Sequence, residues 1–143
     1  MPNHKRIAKI LGSTDEPGSV LFVLFIPSKT KGGKDLPKGQ DQRVWAANAG
    51  DELTESFGGS TEMPGARGKW LNDESGEIVT EPVILVHSYA KESDAEDRGK
   101  LLSLAKFLHR MGKTLRQGEV ALVIDNVFHR IRKFPLAEEE SDE

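Results

Sequence analysis

The chain has 143 residues, a formal net charge of −3, 36% apolar and 30% charged residues, and no cysteine, which fits one globular domain. That composition excludes disulfides, thiolate metal sites and cysteine nucleophiles, and it offers no overall basic field to draw nucleic acid. The longest apolar run is about 8 residues against the roughly 20 needed to span a bilayer, so no membrane contact is expected and a reducing cytoplasm fits.

Residues 1–18 read as an N-terminal arm and linker. Met1-Pro2-Asn3-His4-Lys5-Arg6 is basic but adjoins no apolar core of a signal peptide, so none is expected. Arg6 to Leu11 can form a short element that packs on the domain edge, and Gly12 to Gly18 is turn-rich.

The first strand is Val20 to Pro27, apolar on both faces as in a strand covered on both sides. A Lys/Gly loop follows over 28–43. Helix 1 is expected over Asp41 to Phe57, with Trp45, Ala49, Leu53 and Phe57 as its stripe, Gly50 as an interior cost and Gly58-Gly59 as its stop. An irregular edge strand takes Thr61–Met63 and Gly68–Leu71 around Pro64-Gly65. A turn over Asn72–Gly76 leads into strand 3, Glu77 to Tyr89. Ser93-Asp94-Ala95-Glu96 matches a capping box for helix 2, whose buried stripe is read as Leu101, Leu104, Ala105, Leu108 and Met111. The last strand is read as one unbroken run, Glu119 to Ile131. Alternation along it puts Phe128 with Val120, Leu122 and Ile124, and His129 with Asp125. Residues 135–143 are expected to form an acidic disordered tail.

This order, β-α-β-β-α-β, predicts an α+β domain over 19–134 of the ferredoxin-like split type. It implies a four-stranded antiparallel sheet with two helices on one face. The other face is expected to be covered by a partner subunit or by the N-terminal arm.

Three groups of residues could carry chemistry. Lys29, Lys31, Lys34, Lys38 and Arg43 make the loop basic, and Gly32-Gly33 would let its backbone approach an anion, although the phosphate-loop spacing is missing. The plain alternative is a solvated loop. Arg67, Lys69 and Trp70 could hold a phosphate and stack a base, or Trp70 could simply cap the core. Glu81, His87 and Tyr89 on strand 3, with Asp125 and His129 on strand 4, could share one sheet face. His87, His129, Glu81 and Asp125 are then the weak catalytic candidates, against a reading as interface or rim residues. No metal-ligand spacing and no cofactor motif is present.

Function is therefore read as a small binding or regulatory module. It is expected to be a homodimer, with basic loops suited to a phosphate-bearing small molecule. The alternatives are a phosphodiester hydrolase or nuclease using the sheet-face histidines and carboxylates, and a nucleic-acid-binding protein without cleavage.

Overall fold

The computed structural model describes residues 2–13 and 19–140. The linker expected to end at residue 18 and the acidic end of the chain fall largely outside these, at 14–18 and 141–143.

β1 (Val20–Ile26) is the middle strand of a five-stranded antiparallel sheet. Its neighbours are β3 (Ile78–Ala90) and β4 (Val120–Ile124). Beyond them lie β2 (Thr61–Leu71) and β5 (Val127–Ile131), giving the order β2-β3-β1-β4-β5. This corrects the four-stranded ferredoxin-like expectation. The run 119–131 is not one strand. Asp125 and Asn126 turn it back, so Val123 pairs with Phe128 and Leu122 with His129. Asp125 takes the left-handed conformation at φ 56, its N–H donates to the carbonyl of Leu21, and its Oδ1 accepts from the Leu21 N–H at 2.9 Å. A short polar side chain of this kind tolerates that backbone region and favours a two-residue hairpin connection.

The turn also overturns the expected faces. Phe128 shares a face with Phe25 of β1 (ring centroids 6.4 Å apart), whereas His129 falls on the opposite, helix-bearing face.

Two long helices cover that second face. α2 (Gln42–Phe57) starts at Asp41, whose side chain accepts from the Arg43 N–H at 2.8 Å, and stops at Gly58. It buries Ala46, Ala49, Leu53 and Phe57, with Phe57 stacked on Phe22 at 4.6 Å. α4 (Arg98–Thr114) does not begin at the Ser93 capping box. A separate one-turn helix, α3 (Glu92–Ala95), occupies that segment, and Asp97 caps α4 by accepting from the Lys100 N–H at 2.9 Å. The stripe of α4 is also shifted. Phe107 is 4% exposed and packs with Leu104, Leu108 and Met111, while Leu101 stands 36% exposed. The central side chains Phe22, Leu24, Ile26 and Val86 meet these helices and form the core.

The edges of the sheet are irregular. β2 shifts register between Met63 and Ala66, around Pro64-Gly65, which limits edge-to-edge pairing. After β5 the chain crosses α4, where the Leu136 N–H donates to His109 Nδ1 at 3.2 Å. Pro135–Glu140 form a 3-10 helix there, in place of the first part of the expected disordered tail.

The N-terminal segment forms α1 (His4–Leu11), capped by Asn3 and Gly12, and buries none of its residues. It therefore does not cover the sheet. Leu21, Val23 and Phe25 of β1, Val83 and Leu85 of β3 and Val123 of β4 lie half-exposed on the face away from α2 and α4. Met63 and Phe128 extend this apolar surface at its borders, 38% and 50% exposed.

Candidate functional site

The basic loop is held by structure rather than by solvent. Glu81, 5% exposed, is its anchor. Its Oε1 accepts the backbone N–H groups of Ser28 at 2.7 Å and Lys29 at 3.2 Å, and its Oε2 accepts Trp70 Nε1–H at 2.6 Å. A buried carboxylate needs such donors, and three of them on one group fix the loop stem to the β2–β3 hairpin. Gln117 Nε2 also donates to the Lys29 carbonyl at 2.8 Å, and the Lys31 N–H donates to the Arg116 carbonyl at 2.9 Å. Within the loop, Lys29 Nζ meets Asp35 Oδ1 at 2.9 Å, and this ammonium holds the Asp35 carboxyl below the usual carboxylate range.

These contacts decide several candidates. Trp70 holds Glu81 through its indole N–H, and Lys29 is engaged by Asp35. Lys31, Lys34 and Lys38 are exposed along the loop, and Arg43 is exposed at the start of α2. Arg67 and Lys69 are exposed on β2, but alternate with Gly68 and Trp70 and so lie on the opposite side of the strand from the indole. Arg67, Lys69 and Trp70 therefore do not form one stacking and phosphate-holding surface.

The polar cluster is also divided. Glu81 and His87 share a face but are six residues apart along β3, roughly 20 Å at strand spacing. Asp125 is taken up by its turn beside Leu21. His129 is on the other face, opposite Leu122. No acid–base pair forms between either histidine and either carboxylate, so the nuclease alternative is not supported. Among the described residues, no group of three histidines or carboxylates is placed to hold a metal ion.

What the fold does bring together is His87 and Tyr89 with the segment that leaves α2. A groove of about 450 Å³ is lined by Phe57, Gly58, Gly59, Ser60 and Thr61 on one side and His87, Ser88 and Tyr89 on the other. Its position is built by hydrogen bonds. Ser60 Oγ donates to the Gly50 carbonyl at 2.9 Å and lies 3.0 Å from Thr54 Oγ1, and Ser88 Oγ donates to the Gly59 carbonyl at 2.5 Å. Gly50 has a use here. A Cβ at that position would lie 3.2 Å from Ser60 Oγ, so the bare backbone lets the returning segment sit against the helix.

The two rings lie edge to face, 5.8 Å apart, and Tyr89 is 59% exposed. The groove thus offers an open aromatic surface, an imidazole and the Thr61 hydroxyl, while the Ser60 and Ser88 hydroxyls and the Gly58 N–H are engaged within the fold. That set suits a flat heterocycle with attached hydroxyl groups. The sequence marked His87 and Tyr89, but Gly58-Gly59 carried only the sign of a helix stop. The hydroxyls of Ser60 and Ser88 gave no signal, because their role depends on a contact between α2 and β3.

No protein-family model matches the sequence, and no curated protein matches it. Solved structures do resemble it. A phage SAM lyase in complex with S-methyl-5′-thioadenosine aligns with a TM-score of 0.54 at 17% identity, covering 80% of this chain and 90% of that one. A phage SAM lyase in the apo state gives 0.52 at 9% identity, covering 80% and 89%. A Bacillus cereus protein related to NIF3 gives 0.48 at 13% identity, covering 90% of this chain and 33% of that one. At these identities the likeness to the two lyase structures is one of fold. Among the described residues, no helix is long and apolar enough to cross a membrane.

Proposed function

We propose that the chain is a small binding module for an adenosine-type nucleoside, and that a second copy seated on the open sheet face would border its site, since His87 and Tyr89 lie on that face. The groove beside His87 and Tyr89 carries this reading. Tyr89 presents the stacking surface for the base and His87 a ring nitrogen for one of its edges. Thr61 and the free lone pairs of Ser60 Oγ would meet the sugar hydroxyls. The phage SAM lyase with a similar fold is described with S-methyl-5′-thioadenosine, and that supports the ligand class.

A second reading rests on the exposed loop cations Lys31, Lys34 and Lys38, which suit a phosphate-bearing ligand. Calorimetric titration with adenosine and, separately, with inorganic phosphate separates the two. Saturable adenosine binding is expected, weakened about 10-fold or more in Tyr89→Ala, since stacking on one aromatic ring is worth about 1–3 kcal/mol. Absence of adenosine binding, with phosphate binding lost in Lys31→Ala/Lys34→Ala, would replace the nucleoside reading with the anion reading.

A further inference from the structure

A second groove, of about 540 Å³, opens at the end of the helix layer where β1 begins. Its floor is apolar, made by Val20, Phe22, Ala95, Leu101 and Ile124. Its rim is acidic, made by Glu92, Glu96 and Asp125. Asp94 nearby is matched by Lys100 Nζ at 2.6 Å.

α1 has the complementary surface. Ile7, Ile10 and Leu11 follow the i, i+3, i+4 pattern and stand 43%, 73% and 75% exposed. Lys5, Arg6 and Lys9 supply three positive charges, and the helix carries no acidic residue. Arg6 flanks the stripe next to Ile10, and the long stems of Lys5 and Lys9 can bend toward a rim. The eight residues of α1 span about 12 Å.

We infer that the acidic-rimmed groove is the docking site for α1 of a second copy of this chain. The exchange is reciprocal, each arm filling the partner's groove. Among the described residues of one chain both surfaces are unfilled, since α1 buries none of its residues and Leu101 stands exposed in the groove. An exchange about a two-fold axis satisfies both at once and closes on itself. This contact is separate from the open sheet face and from the nucleoside groove.

The absence of native cysteine makes the test direct. Chains carrying Ile10→Cys and chains carrying Leu101→Cys, differently tagged and both in the Phe128→Glu background that removes the sheet-face contact, are mixed and oxidised. A disulfide between the two tags is expected. It should be lost when Glu92→Lys and Glu96→Lys are added to the Leu101→Cys chain, and regained when the other chain carries Lys5→Glu and Arg6→Glu. Arg6→Glu alone should weaken the arm contact by roughly 10-fold, as loss of about 1.4 kcal/mol would. The inference is overturned if the mixed disulfide does not form. It is also overturned if a chain carrying both Ile10→Cys and Leu101→Cys gives only an internal disulfide, which would seat the arm on its own body. Formation that is indifferent to the charge reversals, or binding of α1 to anionic lipid vesicles with no mixed disulfide, would equally sink it.

Discussion

Glu81 shows how one side chain can organise two elements. A carboxylate on a strand interior invites a catalytic reading. Here its oxygens are spent on the Ser28 and Lys29 N–H groups and the Trp70 indole, and the side chain is buried. Replacing it leaves three donors without their acceptor. Glu81→Ala is therefore expected to lower stability by about 2–4 kcal/mol, read by urea denaturation. Glu81→Gln keeps an acceptor for the loop stem but turns an amide donor on the indole, so it should cost less. If Glu81 and Trp70 act as one unit, Glu81→Gln and Trp70→Phe together will cost less than the sum of the two, and simple additivity would argue against the coupling. The sequence showed a polar residue on a strand. It could not show the donors, which come from positions 28, 29 and 70.

At the scale of elements, the crossing of the C-terminal segment over α4 depends on two residues. A Cβ added at Gly112 would lie 2.5 Å from the Phe134 ring, so the segment can approach only because that position is bare. Gly112→Ala is expected to push Phe134 outward. The cost is about 1–3 kcal/mol of overpacking, against roughly 1 kcal/mol gained in helix propensity. Faster amide exchange at Leu136 and Ala137 would report it, and unchanged exchange would show that the ring has room to move. His109 supplies the other contact. Its Nδ1 accepts from the Leu136 N–H, so it must be unprotonated there, and burial holds its pKa below the ordinary value of 6.5. The unfolded chain then binds a proton at His109 more readily than the folded one does. This contribution to stability is intact well above pH 6.5 and is lost as pH falls through 6.5 toward the folded-state value. His109→Gln should flatten that part of the stability profile measured between pH 7 and 5. An unchanged profile would assign the acid dependence to other groups.

Legibility at this scale divided by the range of the forces. The β1 run, the length of α2 and the Gly58 stop were readable because each follows from apolar spacing and local backbone preference. α4 starts one turn later than the Ser93 signal predicts, because Ser93 lies inside the separate α3 and Asp97 supplies the capping bond to the Lys100 N–H. The turn at Asp125-Asn126 was written in the sequence as a two-residue hairpin signal. Reading through it reversed the faces of Phe128 and His129.

For the whole molecule, the outstanding surface is the face of the sheet without helices. Val23, Phe25, Leu85 and Val123 lie in adjacent strands and form one apolar field, with Phe128 at its border. Such contiguous surface is usually an interaction site. If a second copy covers it, light scattering after size exclusion should give a dimer for a chain whose arm contact is removed by Lys5→Glu and Arg6→Glu. Adding Phe128→Glu, at a half-exposed position, should shift that chain toward monomer. A native chain that stays monomeric at high micromolar concentration would remove the sheet-face dimer.

The sequence by itself determined where strands and helices could form, that strand β1 would be apolar on both faces, and that the loop over 28–43 would be basic. These depend on residues near one another in the chain. Only the tertiary structure decided that the sheet has five strands, that His87 and His129 look away from each other, that Trp70 serves Glu81, and that the candidate groove forms where Gly58–Thr61 meets His87–Tyr89. Those outcomes depend on register across strands and on hydrogen bonds between distant segments. A shift of one residue in register would exchange every face.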